Sequence, residues 1–141
     1  MIALTEDKRM LGYGVMTPYS NIFCFATTRR GGFSKGDYAS FNCTPYTGDD
    51  AESVRRNQEL LCNSMPQHPK ELVIPFQTHG TKVEVIDEKY LNATSDERTA
   101  MLQGVDALIT KEPDCCICIS TADCIPILLY DCKNQVVGGE R

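Results

Sequence analysis

Between Val105 and Gly139 the chain carries four apolar stretches set so close together that no helix of ordinary length fits between them. "VDALIT", "CCICISTA", "IPILLYD" and "NQVVGG" are rich in Ile, Leu and Val and read as successive strands. Parallel neighbours need a crossover of about a dozen residues or more, usually helical. A regular βα alternation is therefore excluded from this part of the chain. Upstream, "NIFCFATT", from Asn21, reads as another strand. "ELVIPFQTHG" and "TKVEVID" read as two more that meet near His79 and Gly80, with Pro75 placing the first at a sheet edge or a bulge. "GDDAESVRRNQELLCN" is the one clear helix: Asp49 or Asp50 caps it, acids fill its first turn, and Val54, Leu60 and Leu61 give a partial apolar face. "MPQHPKE" ends it. "EKYLNATSDERTAMLQG" is polar and reads as a loop with at most a turn of helix. Strands outnumber helices, so the expected class is α+β with a mixed sheet and flanking helices.

At 141 residues the chain is expected to form a single domain, residues 1–141. Its formal net charge of −5 and the lack of a basic run argue against nucleic-acid binding through phosphate contacts. No apolar run reaches the roughly 18 residues of a membrane span. The start, "MIALTEDKRMLGYG", lacks the pattern of a secretory signal. A cytoplasmic location is the expectation, with the eight cysteines mostly free thiols packed as small hydrophobes.

Few residues offer chemistry. His79 sits in "QTHGTKV", where the following glycine permits a tight turn and close approach of a ligand. A lone histidine is as readily a hydrogen-bonded structural residue. Cys124, in "STADCIPILLYDC", is preceded by Asp123 and followed by Ile125-Pro126, which hold the thiol at a strand end. It can equally be a buried, inert cysteine, and Asp123 either orients a ligand or closes a turn. "CCIC" (Cys115, Cys116, Cys118) has no second pair at zinc-ribbon spacing and reads as core packing, with Cys116 and Cys118 on one strand face and Cys115 on the other. The loop "TTRRGGFSKGDYASFN" is an anion-site candidate. Its glycines let backbone N–H groups converge, Arg29 or Arg30 can fork donors onto phosphate, and Ser34, Tyr38, Ser40 and Asn42 add hydrogen bonds.

In this order, "TTRRGGFS", "YASFN", "GDD…V..N", "QTHG", "VDALIT" and "TADCIPILLYD" resemble the YfiH/YlmD family, also called the laccase-domain or multicopper polyphenol oxidase family and, more recently, purine nucleoside phosphorylase. The resemblance runs from about Asn21 to Val137. It implies the N-terminal portion of a YfiH-like fold. It implies zinc in a cleft, held by the His of a Gln-x-His-Gly motif, the Cys of an Ala-Asp-Cys motif and a second His opening a His-Ala-Gly-Trp-type motif; the first two fall on His79 and Cys124. The implied reactions are phosphorolysis of adenosine, inosine, guanosine and methylthioadenosine, and deamination of adenosine. Purine nucleoside and phosphate are the implied partners, with His79, Cys124 and Asp123 as catalytic residues. Arg29, Gly31, Gly32, Ser34 and Asn42 are the implied phosphate or substrate contacts. Copper fits poorly, because a multicopper cluster needs many imidazoles and the chain has two histidines.

The pattern breaks at residues 138–141, "GGER", where the resemblance places its third ligand on Arg141. A guanidinium stays protonated and cannot ligate zinc. The expectation is an N-terminal portion of a longer unit, impaired as an enzyme, with an exposed sheet edge that favours homo-association. Two other readings stand beside it: an inactive family member that persists as a folded or binding module, and a metal-free hydrolase with Cys124 activated by His79.

Overall fold

A computed structural model describes residues 1–141, which divide into two compact units, Met1–His68 and Pro69–Arg141. In the first unit, β1 (Ile2–Ala3), β2 (Met10–Gly12) and β3 (Phe25–Thr27) form an antiparallel sheet in that order. The strand expected from Asn21 is confined to its last residues. A long loop then leads to α1 (Ala51–Asn63), capped by the Asp50 carboxylate, which accepts the Ser53 N–H. Val54 and Leu61 are buried on α1 as expected, but Leu60 lies half-exposed. Asn57 takes the place between Val54 and Leu61 on the buried face. The apolar stripe is interrupted there because Asn57 carries the loop, as described below.

The second unit contains β4 (Glu71–Val73), β5 (Lys82–Ile86), α2 (Glu88–Leu91), α3 (Ser95–Met101), β6 (Val105–Thr110), β7 (Cys115–Ile117), β8 (Ile127–Asp131) and β9 (Val136–Glu140). β4 and β7 make a parallel pair. The remaining strands form a sheet in the order β5-β6-β9-β8, with β5 and β6 parallel and the other neighbours antiparallel. The expected α+β class with a mixed sheet is what forms. The two strands expected to meet near His79 belong to different sheets, so the turn between them links one sheet to the other. Gly138 and Gly139 lie within β9; a side chain on Gly139 would press on Ile119 at 3.1 Å.

Residues 88–101, expected to be mostly loop, form two helices. The parallel β5–β6 pair demands a crossover, and α2 and α3 supply it. Asp87 caps α2, and Thr94 with Glu97 closes a reciprocal capping box on α3. The buried Tyr90 and Leu102 anchor the crossover in a core with Val73, Ile86, Val105 and Leu108. That core covers one face of the four-stranded sheet. The other face leaves Val83, Val85, Ile109 and Leu129 exposed, at 51%, 51%, 37% and 61%. No helix is long and apolar enough to cross a membrane.

Candidate functional site

The turn from β4 to β5 is built around a buried carboxylate that the sequence does not advertise. Asp106, on β6 and 3% exposed, accepts the Thr78 N–H (3.2 Å) and Gly80 N–H (2.8 Å) on Oδ2 and the His79 N–H (3.0 Å) on Oδ1. Burial pushes the Asp106 carboxyl up, but the bonds from Gly80, Thr78 and His79, with the Arg141 guanidinium nearby, outweigh it and hold the group below its ordinary value. Arg141 Nε lies 3.8 Å from Oδ1, and the Arg141 backbone N–H donates to the Asp106 carbonyl. His79 adopts φ 59°, in the left-handed region, which closes the turn while its side chain stays exposed.

A second tie brings in the cysteine segment. Gln77 Oε1 accepts the Ser120 N–H at 2.7 Å, and its Nε2 donates to the Ser120 carbonyl at 3.1 Å. One side chain thus satisfies both backbone groups of Ser120, as a strand neighbour would. From Ser120 the chain runs through the exposed Asp123 and Cys124 into β8. The "QTHG" and "STADC" stretches are therefore joined by Gln77, and Cys124 is an accessible thiol rather than a buried one.

The arginine-glycine loop of the first unit is held from within. Arg29 Nε donates to the Ala39 carbonyl at 3.0 Å and Nη2 to that of Asp37 at 3.4 Å. Gly31 has φ 76°, and a side chain there would collide with the Asp7 carboxylate. At Gly32 it would collide with the Ser40 carbonyl. Ser34 Oγ donates to Asp49 Oδ2 at 2.6 Å, and Asn42 Nδ2 donates to the same oxygen at 3.0 Å. The Ser34 bond, with that from Asn42, keeps the Asp49 carboxyl below its usual value against burial. Asn57 closes the network: its Oδ1 accepts the Phe33 N–H, and its Nδ2 lies within hydrogen-bond distance of Ser34 Oγ and the Ser40 and Asn42 carbonyls. Ser34, Asn42 and the two glycines thus shape the loop, while Arg29 remains exposed at its surface.

Asp106 and Gln77 are the site residues that sequence reasoning missed. Asp106 hides within a strand pattern, and its partners lie 26 to 28 residues away. The polar interruption in "VDALIT" is its only trace.

An imidazole and a thiolate are donors that zinc accepts. No group of three or more His, Cys, Asp or Glu side chains is arranged to hold a metal ion. Arg141 is positively charged and leans on Asp106. His79 and Cys124 supply two such donors, an incomplete set for a zinc site.

The family model described as Multi-copper polyphenol oxidoreductase laccase matches residues 23–139. A purine nucleoside phosphorylase of Bacteroides thetaiotaomicron is 61% identical over 137 residues, covering 97% of this chain and 51% of the relative. Adenosine deaminase RL5, from an unknown prokaryotic organism, is 39% identical over 113 residues, 80% of this chain and 43% of its own. The crystal structure of YlmD from Geobacillus stearothermophilus matches with a TM-score of 0.75 at 28% identity, covering 87% of this chain and 46% of that one. The chain spans about half the length of the curated relatives it matches.

Proposed function

As the chain belongs to the Multi-copper polyphenol oxidoreductase laccase family, we propose that it is built for purine nucleoside chemistry: phosphorolysis of adenosine, inosine, guanosine and methylthioadenosine, with deamination of adenosine. The names of its relatives, purine nucleoside phosphorylase and adenosine deaminase, support this reading. The observation that carries it is the paired bond from Gln77 to Ser120, which joins the His79 turn to the Asp123-Cys124 segment.

In phosphorolysis, a phosphate oxygen bonds to the ribose carbon as the bond to the purine breaks, and the departing base takes a proton. Hydrogen phosphate brings that proton with it, and the His79 imidazole is reserved for the metal. Asp123, in the second unit, orients the nucleoside. In the first unit Arg29, whose Nε and Nη2 hold the Ala39 and Asp37 carbonyls, keeps its remaining N–H groups for phosphate, with Gly31, Gly32, Ser34 and Asn42 fixing the shape of its loop. Zinc dependence belongs to the proposal through two donors, His79 and Cys124; the remaining positions are filled by groups outside this donor set.

The test is phosphate-dependent release of adenine or hypoxanthine by the purified chain, followed by chromatography, with bound zinc measured on the same samples. Weak turnover, as befits an impaired chain, that disappears in His79→Ala and Cys124→Ser is the expected result. A folded chain that neither turns over nucleosides nor holds zinc overturns it. The second reading, an inactive folded or binding module, is then favoured, and the incomplete donor set is the observation behind it. Turnover that survives without zinc and still needs Cys124 points to the metal-free thiol reading.

A further inference from the structure

The "CCIC" stretch has no part in the site above, yet its thiols fall into two environments. Cys115 packs with Ile117 and Ile119 against the buried core of its unit. Burial, followed by the neighbouring Cys116 thiol and the Glu71 carboxylate, pushes the Cys115 thiol up to about 11. A thiol in that state is a poor nucleophile at neutral pH. Strand alternation turns Cys116 and Cys118 to the opposite face, where their Sγ atoms lie 3.8 Å apart in a sulfur hydrogen bond. That bond outweighs burial and draws the Cys116 thiol below its ordinary value. β7 runs beside β4, and just past its end the Cys118 N–H donates to the Val73 carbonyl at 2.9 Å. Both residues are partly buried, unlike the fully buried Cys62.

We propose that Cys116 and Cys118 form a dithiol site that is oxidised to an intramolecular disulfide by a low-molecular-weight disulfide of the glutathione type. The Cys116 thiolate attacks one sulfur of the external disulfide. Its S–S bond breaks, a mixed disulfide forms on Cys116, and one small thiolate leaves. The Cys118 thiolate then attacks the Cys116 sulfur and expels the second small thiolate. Both protein thiols are oxidised, the external disulfide is reduced to two thiols, and the protons of Cys116 and Cys118 pass to the leaving groups.

The Cα span is within reach of a bridge. Residues two apart on a strand are separated by about 6.6 Å, at roughly 3.3 Å per residue. A disulfide accepts Cα spans of about 4.4–6.8 Å. The bridge also needs Cβ atoms about 3.5–4.5 Å apart, which rotation alone does not give on an extended strand, so closing it bends the backbone at Cys118, just past the end of β7, and a bridge so strained is readily reduced again.

The folded 141-residue chain is incubated with glutathione disulfide, quenched in acid, alkylated and mapped by peptide mass spectrometry. The exposed Cys124 and Cys132 serve as internal controls for modification. The expected result is loss of two hydrogens within Cys116–Cys118, restored by dithiothreitol, with Cys115 still open to alkylation after denaturation. Cys118→Ser then retains glutathione on Cys116 as a stable mixed disulfide, whereas Cys116→Ser leaves Cys118 unmodified. If Cys116 and Cys118 both remain alkylatable once Cys124 and Cys132 carry glutathione, the proposal is wrong. It is equally wrong if Cys116 bridges to any other cysteine.

Discussion

Asp106 accepts the backbone N–H of His79 at 3.0 Å, from a strand that follows the histidine by more than twenty residues. With the bonds from Thr78 and Gly80, this makes one buried carboxylate the anchor of the whole turn. Replacing it with asparagine swaps an oxygen for a donor that faces other donors. Asp106→Asn is expected to cost about 2–4 kcal/mol, measured by urea denaturation at neutral pH.

The same carboxylate has a pH signature. Its folded value lies below the unfolded one, so its contribution is fully present above the unfolded value, about 3.9. It is lost as pH falls through the folded value. Stability measured as pH falls below about 4 should decline less steeply in Asp106→Asn than in the wild type. Equal slopes would remove Asp106 from the acid response.

Gln77→Ala removes both bonds to Ser120. The expected loss is about 1–2 kcal/mol, with faster hydrogen exchange at the Ser120 amide. Gln77→Glu keeps the acceptor for that amide and loses the donor, so exchange should fall between the two. Unchanged exchange in Gln77→Ala would show that the Ser120–Cys124 segment is held by other contacts.

Asn57 is fully buried on α1 and serves the loop at four points. Asn57→Ala leaves the Phe33 N–H and the loop carbonyls without their partner. A loss of about 2–3 kcal/mol is expected, read by thermal and chemical denaturation. Asn57→Asp should lose at least as much, because its second oxygen faces the Ser40 and Asn42 carbonyls.

β8 is an outer strand of its sheet, with Ile127 and Leu129 47% and 61% exposed. An edge of this kind is a template for a second strand. Homo-association through it predicts that Leu129→Lys lowers the sedimenting mass at high protein concentration. A mass that is concentration-independent in the wild type would rule this association out.

Much of the fold is legible because its strands are short, apolar and punctuated. β6, β8 and β9 fall where "VDALIT", "IPILLYD" and "NQVVGG" place them, and α1 begins behind its capping acid. The helices α2 and α3 escape notice because they are brief and polar, although Thr94 and Glu97 carry the capping-box spacing. The partition of β4 and β5 between sheets is set by long-range pairing, which no local pattern encodes. His79 and Cys124 stand out as unusual residue types beside glycine and proline. Asp106 and Gln77 act through distant backbone groups, and their sequence neighbourhoods are ordinary.

Three successive backbone N–H dipoles at residues 78–80 would ordinarily make an inviting seat for an anion. Here a fixed carboxylate already sits in it. The turn is thus a plugged socket: a phosphate ion arriving at His79 meets occupied dipoles backed by a negative charge. An uncharged ring or a cation meets no such barrier. The electrostatic character of this mouth is set from behind, by a side chain that no solute touches.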